Sequence, residues 1–200
     1  MGDPSTVDII GAVTSVKAVD LLIFFIFFAL FVLGFMQGVI RRLLGIASIL
    51  ISLLAAAQLR TPFGAFLTEH WTQYSPAYDH MIAFGSIFLA GTIASTIALQ
   101  LFFKPMPMFA KYPLFDEVLG GVLGLLQGAL ILAAFYLITD PFFTTAAQGA
   151  QTNEFPFIRQ IHDALEGSVT ADFVRERLVP SVLFFFGALF PADVIAVFRS

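Results

Sequence analysis

Few side chains in this sequence could carry out chemistry, and their spacing does not favour it. The three histidines, His70, His80 and His162, lack the spacing of metal ligands, and we expect them to be solvated. Asp79 and His80 are adjacent and could form a small polar site at the outer surface. The chain contains no cysteine, which excludes thiolate metal sites and thiol nucleophiles. The sequence therefore predicts no catalytic residue, no metal and no cofactor.

A Leu-Gly-x-x-Gln-Gly motif occurs twice, at residues 33–38 and at residues 123–128. Glycines four positions apart line one face of a helix and let a second backbone approach closely, which is how membrane helices associate. A glutamine on such a face can form a hydrogen bond across the interface. We interpret these residues as helix-packing or interaction residues: Gly34, Gln37, Gly38, Gly120, Gly124, Gln127 and Gly128. The alternative is that Gln37 and Gln127 form the polar lining of a path.

Two adjacent basic residues, Arg41 and Arg42, directly follow the first motif. Arginine pairs at the end of an apolar run commonly lie among lipid headgroups, so we interpret this pair as a membrane-anchoring charge. Asp116 precedes the second motif, where a carboxylate is favoured by the dipole of a helix N-terminus. Acidic residues are missing from the middle of the apolar runs, so a proton relay of the usual kind is not expected.

Composition places these motifs in a lipid bilayer. Hydrophobic residues make up 58% of the 200-residue chain and charged residues only 12%, about half of the charged share in soluble domains. Residues 21–40 contain no charged residue and would form a helix about 30 Å long, which matches one hydrocarbon core. The net charge of −4 argues against binding to nucleic acid.

The predicted fold class is an all-α polytopic membrane protein, with four transmembrane helices arranged as two antiparallel hairpins and a C-terminal amphipathic or interfacial helical tail. Residues 1–17 read as a polar leader or interfacial helix, residues 18–140 as the membrane module, and residues 141–200 as the tail. The predicted spans are residues 20–40, 43–59, 81–103 and 118–139. Residues 60–80 are expected to form a loop.

Two segments leave alternatives open. Residues 43–59 are short for a span and could lie partly in the interface, although no polar stripe runs along them. Residues 178–190 contain Pro180 and are too short to span, so we expect an interfacial or re-entrant segment. In the tail, an apolar stripe from Phe157 to Leu165 predicts a helix whose opposite face carries polar residues, His162 among them.

Lysine and arginine counts give a weak prediction of how the chain is oriented in the membrane. The two tight connections carry a small excess of these residues, which favours a cytoplasmic position for them and places both termini outside.

The order and spacing of the motifs resemble the colicin V production protein (CvpA-like) family. The similarity covers roughly residues 18–190 and rests on Gly34-x-x-x-Gly38 with Arg41, then on residues 116–128 from Asp116 to Gly128. It implies a four-helix protein of the bacterial inner membrane, associated with colicin export, biofilm growth and envelope-stress tolerance. The family often has arginine where this chain has Gln37 and Gln127, and an acidic residue near Arg42.

We therefore expect a non-enzymatic accessory or scaffold subunit of an envelope, export or other membrane assembly. Its expected partners are the lipid bilayer and another membrane protein or a second copy of itself. A small oligomeric transporter or pore is the alternative function. A lipid-modifying enzyme that uses Asp79 and His80 ranks third.

Overall fold

The computed structural model describes residues 18–102, 113–146, 155–166, 168–190 and 195, and over these ranges the chain is helical without strands. The helices are α1 (Ala18–His70), α2 (Pro76–Phe102), α3 (Pro113–Ala146), α4 (Pro156–Leu165), α5 (Val169–Phe173) and α6 (Val179–Phe186). A π-helical turn (Val174–Leu178) joins α5 to α6, and a 3-10 turn (Gly187–Leu189) follows α6. The predicted leader, residues 1–17, lies outside the described residues, as does the segment 103–112 between α2 and α3.

Three helical stretches are long and apolar enough to cross a membrane: Val19–His70, Pro76–Leu99 and Pro113–Phe143. Their outward surfaces carry large apolar side chains, including Phe24, Phe25 and Phe28 on α1. Exposed phenylalanines of this kind face lipid at no cost, whereas water would disfavour them. The all-helical, membrane-protein character predicted from the sequence is confirmed.

A single glycine interrupts α1. With 53 residues, a straight α1 would be about 80 Å long, far more than the roughly 30 Å of a hydrocarbon core. Gly38 has φ 73° and ψ 176°, a backbone conformation essentially reserved for glycine because it brings a side chain into collision with the main chain. We call residues 18–37 the first arm of α1 and residues 39–70 its second arm.

The two arms contact α3 in opposite directions. In the first arm, Leu30 lies at Gly124 and Gly34 lies at Gly120, so residue numbers rise in one helix as they fall in the other. In the second arm, Gly45 lies beside Gln127 and Arg60 shares a cavity wall with Phe142, so the numbers rise together. The chain therefore changes direction at Gly38.

The helix α2 packs antiparallel against the second arm. Gly91 of α2 lies against Ser52, and His80, near the start of α2, lies against Gly64 near the end of the second arm. Contacts of α2 with α3 are much sparser than those of α1 with either helix, so α1 forms the centre of the bundle. The core behind these helices includes Ile49, Leu53, Phe84 and Leu137.

The predicted loop at residues 60–80 is wrong in extent. The helix continues to His70, and only residues 71–75 separate it from α2. Pro62 removes one backbone hydrogen bond, but membrane helices tolerate proline where neighbouring groups compensate. The second arm also keeps a packed face beyond Pro62, since Gly64 meets His80 and Leu67 is buried.

The tail is built into the core. Ser168 caps α5 by accepting a hydrogen bond from the backbone N–H of Ala171 at 3.3 Å. Buried tail residues, among them Leu165, Val174 and Val179, belong to the same apolar cluster as residues of α1 and α3. Phe184 and Phe185 instead point outward. The predicted interfacial or re-entrant character of residues 178–190 stays a prediction.

Replacing Gly38 by alanine tests the interruption of α1. We expect Gly38→Ala to lower the free energy of unfolding by about 1–3 kcal/mol, because a Cβ is strained at this backbone conformation and would also collide with the carboxylate of Asp116. The measurement is unfolding of the purified protein in mild detergent. Gly187→Ala is the control, since Gly187 is helical and a Cβ there meets nothing within 4 Å. Equal effects of the two substitutions would contradict the assignment.

Candidate functional site

The two glycine motifs face each other within the chain. A Cβ at Gly34 would collide with the carbonyl oxygen of Gly120, and a Cβ at Gly120 would lie 2.5 Å from the carbonyl oxygen of Gly34. A Cβ at Gly124 would collide with the carbonyl oxygen of Leu30. The two backbones therefore touch without side chains between them, the arrangement that small residues permit in membrane helix pairs. We call this contact, formed by Leu30, Gly34, Gly120 and Gly124, the glycine seam.

Side chains fill the seam beyond its centre. A Cβ at Gly128 would lie 2.7 Å from Cδ1 of Leu30, and a Cβ at Gly121 would lie 2.7 Å from a ring carbon of Phe31. Larger residues at these two positions would push the first arm away from α3. The sequence motif thus marks both the central backbone contact and the flanking positions that receive apolar side chains.

The second arginine of the pair is buried and crosses to α3. Only 5% of Arg42 is exposed, and its Nη1 donates a 2.6 Å hydrogen bond to Oε1 of Gln127. The Arg42 side chain is thus directed to α3, whereas Arg41 is exposed. The membrane-anchoring role of the pair stays a prediction. A Cβ at Gly45 would lie 3.0 Å from Nε2 of Gln127, so this glycine gives the amide room. A charged donor in apolar surroundings forms a strong bond, which ties the second arm to α3.

Asp116 lies at the end of the bundle where the chain reverses at Gly38. Its carboxylate lies against Gly38 in the first turn of α3, and the residue is 7% exposed. One carboxylate oxygen has no hydrogen-bond partner among the described residues. Gly38 therefore serves two purposes, because it provides the turn conformation and leaves space for this carboxylate.

Gln37 is not brought together with Gln127. Because the first arm and α3 are antiparallel, Gln37 lies near the level of Glu117, about ten residues or 15 Å along α3 from Gln127. Gln37 is half-buried, and its side chain makes no hydrogen bond within the described part of the chain. A shared polar lining of the two glutamines is therefore not formed in this arrangement.

A second polar cluster, at the opposite end of the bundle, was missed by sequence reasoning. Asp140 of α3 is fully buried. Its Oδ1 lies 3.1 Å from Nε2 of His162, and its Oδ2 lies 2.7 Å from Nε of Arg175. The Arg175 guanidinium also lies over the ring of Tyr136, 5.6 Å from its centroid. We call Asp140, His162 and Arg175 the tail clamp, because they hold α4 and the π-helical turn against α3.

The tail clamp corrects the expectation that His162 is solvated. His162 is 3% exposed and its ring lies 4.6 Å from the ring of Phe143. The available signal was an acidic residue, Asp140, at the end of an apolar run, followed by basic residues on the tail helices. A further contact joins the tail to the first arm, since Oγ of Ser168 donates a 2.6 Å hydrogen bond to Asp20.

The side chains of Asp79 and His80 have different surroundings in the fold. Asp79 is fully buried rather than at the surface, and neither of its carboxylate oxygens has a hydrogen-bond partner among the described residues. His80 faces the second arm, where its Nδ1 lies 3.3 Å from the carbonyl oxygen of Arg60. Within the described ranges, His, Asp and Glu do not form a cluster of three that could hold a metal ion.

A comparison with protein-family models matches residues 19–177 to "Colicin V production protein". The chain belongs to the colicin V production protein family. The match runs from the first arm to the π-helical turn, so it includes both glycine motifs and all three residues of the tail clamp. It confirms the family resemblance of the motifs. Neither the curated proteins nor the solved structures contain a significant match to this member of the colicin V production family.

A double-mutant cycle tests the bond between Arg42 and Gln127. We expect the Arg42→Met and Gln127→Leu substitutions to show a coupling energy of about 0.6–1.7 kcal/mol in detergent unfolding, between the average and the maximum found for hydrogen bonds between membrane helices. Arg41→Met is the matched control, because Arg41 is exposed, and its cycle with Gln127→Leu should give a coupling near zero. Additive effects of Arg42→Met and Gln127→Leu would show that the bond contributes nothing.

Proposed function

We propose that this member of the colicin V production family is a non-enzymatic accessory subunit of an assembly in the bacterial inner membrane, crossing the bilayer four times. The supporting observation is that the small residues of the chain lie in two separate places. Those of the two glycine motifs lie in the seam between its own helices, while α2 presents another row of small residues outward. The accessory role assigns that outer row to a partner.

The outer row repeats every fourth residue along α2. Ser86, Ala90, Ala94 and Ala98 are all exposed, and their spacing places them on one face of the helix. Their exposure leaves a shallow surface on which a second helix could approach closely, as the first arm approaches α3 in the seam. We call this face, formed by residues 86, 90, 94 and 98, the outer small-residue face. The partner is another membrane protein or a second copy of the chain.

The contact directions support four crossings. The arms of α1 run in opposite directions along α3, and each contains at least the roughly 20 residues that one crossing needs. In the proposed arrangement each arm crosses once, and α2 and α3 supply the other two crossings. The lysine and arginine distribution then favours an arrangement with the connection at Gly38 in the cytoplasm and both termini outside.

Single cysteines test this topology cleanly, since the natural chain has none. On intact cells, a membrane-impermeant maleimide should label a cysteine at Glu69, which lies on the outer side in this arrangement. A cysteine at Arg41 should react only after the membrane is opened. Both positions are exposed in the fold. Labelling of the two positions from the same side, or no labelling at Arg41 under either condition, would contradict four crossings.

Substitution on the outer small-residue face tests the accessory role. We expect the tagged protein, purified from native membranes in mild detergent, to retain a partner at a fixed ratio by mass spectrometry. Ala94→Leu should release the partner, because the larger side chain separates the helices while leaving the chain's own core untouched. Ala55→Leu is the matched control, since Ala55 is an exposed alanine on the second arm.

Two outcomes would count against the accessory role: recovery of the wild-type chain alone, or full retention of the partner by Ala94→Leu. Gly124→Leu does not serve as an assembly test. Gly124 lies in the glycine seam, so this substitution would disrupt the chain's own fold before it affected a partner.

A small transporter or pore is the second candidate, and one observation favours it. The hydroxyl oxygens of Ser48, Ser52 and Thr92 are buried between the second arm and α2 and lack hydrogen-bond partners among the described residues. Ser48 and Ser52 are four residues apart, so their hydroxyl groups lie on one face of the second arm. Absence of solute flux in reconstituted protein, together with a wild-type phenotype for Gln127→Leu, would exclude this candidate.

A further inference from the structure

A cavity of about 400 Å³ lies where the second arm ends, α2 begins and α3 ends. Its walls include basic, polar and apolar side chains: Arg60, Thr61, His80, Met81, Ile138 and Phe142. The lining contains no carboxylate, because the buried Asp79 on the same turn of α2 as His80 does not reach it. The cavity is therefore suited to an anion rather than to a cation.

The basic groups of this cavity are held in place. Only 9% of Arg60 is exposed, and its guanidinium lies over the ring of Phe84, 5.9 Å from the centroid. His80 contacts the carbonyl oxygen of Arg60 through Nδ1, and the missing side chain at Gly64 leaves space for its ring. A guanidinium with a fixed position beside the hydroxyl group of Thr61 supplies hydrogen-bond donors of the kind that recognise a phosphate group.

An apolar groove of about 430 Å³ adjoins the cavity. Met81 and Ile138 line both spaces, so one opens beside the other. The groove lies between α2 and α3, where contacts of the two helices are sparse, and α4 covers one side. Its walls include Gly85, Phe88, Ile131, Phe135, Phe157 and Ile161. The combined site is thus basic at one end and apolar along its length.

Aromatic side chains next to the cavity indicate the level of lipid headgroups. Trp71, Tyr74 and Tyr78 stack in sequence next to the cavity, and Tyr78 packs against Phe142 of its wall at 5.3 Å between ring centroids. Such aromatic belts lie at the level of lipid headgroups. From this level the groove runs deeper along both helices, towards Phe88 in α2 and Ile131 in α3.

We propose that this chain binds one anionic phospholipid, with the phosphate in the cavity at Arg60 and His80 and one acyl chain in the groove between α2 and α3. The charge of the cavity selects an anionic headgroup, and the adjoining groove selects a lipid over free phosphate. The groove shares Ser86 with the outer small-residue face, whereas Ala90, Ala94 and Ala98 lie outside its lining. Lipid binding and partner binding can therefore be tested separately, the first at Arg60 and Gly85 and the second at Ala94.

The test uses the full chain in a neutral detergent after removal of bound lipid. Thermal unfolding is followed while dioleoylphosphatidylglycerol, dioleoylphosphatidylcholine or inorganic phosphate is added. We expect phosphatidylglycerol to give half-maximal stabilisation at a concentration about tenfold lower than phosphatidylcholine does. Inorganic phosphate should give no stabilisation at the same concentrations. Arg60→Gln should abolish the difference between the lipids. Arg41→Gln, which removes an exposed charge at the other end of the bundle, should preserve it.

A second variant tests the groove separately. At Gly85 a Cβ would meet only Cγ2 of Ile138, at an ordinary 3.6 Å, so Gly85→Leu can place its side chain in the groove without displacing backbone. We expect this variant to unfold like the wild type without lipid and to require at least tenfold more of either lipid for stabilisation. Equal response to the two lipids, an unchanged preference in Arg60→Gln, or an unchanged lipid response in Gly85→Leu would overturn the proposal. Stabilisation by phosphate alone would replace it with a free-anion site.

Discussion

The contact of two backbones in the glycine seam is the constraint on which the rest of the structure depends. The first arm of α1 reaches α3 so closely that the carbonyl oxygens of Leu30 and Gly34 occupy the space that side chains would fill at Gly124 and Gly120. In lipid no hydrophobic effect drives helices together, so close packing must supply the stabilisation. Once the first arm is fixed against α3, the second arm has to start beside Asp116, which requires the reversal at Gly38. The seam therefore determines both the direction of the chain and the position of Arg42 opposite Gln127.

Two groups of polar side chains, one at each end of the bundle, then stabilise the helix arrangement that the glycine seam defines. Arg42 and Gln127 join the second arm to α3 at one end, and the tail clamp holds α4 and the π-helical turn at the other. In these two groups the buried charges of Arg42, Asp140 and Arg175 each have a polar partner, which offsets part of the cost of placing them in apolar surroundings. Because these polar groups stabilise the inside of the bundle, the outward faces of the helices contain mainly apolar and small residues, which can contact lipid and the proposed partner. This division of roles is the physical basis of the proposed accessory function.

Composition and motifs predicted much of this arrangement, and the missing parts have physical reasons. Long apolar runs predict membrane helices because the bilayer requires them, and the repeated motif identified the helices that pack closely. The dihedral angles of Gly38 were not predictable, since a glycine in a packing motif also fits a regular helix. The hydrogen bond from Arg42 joins residues 85 positions apart, and no local pattern reveals it. His162 was assigned to a polar face because its helix was considered without the buried Asp140 that meets it. The helix beyond Pro62 was missed because proline usually ends one, whereas packing of Leu67 maintains it here.

Distances between paired spin labels test most directly that the glycine seam joins two helices of one chain in antiparallel order. Cysteines at Val32 and Val122, both exposed and at the same level of the seam, should give a short distance in detergent and in bilayers. Moving the first label to Leu22 should lengthen it, because that position lies about 15 Å further along the first arm. Both distances should persist when the labelled protein is diluted with an excess of unlabelled chain. A 22–122 distance equal to or shorter than the 32–122 distance, or a signal lost on dilution, would contradict the account.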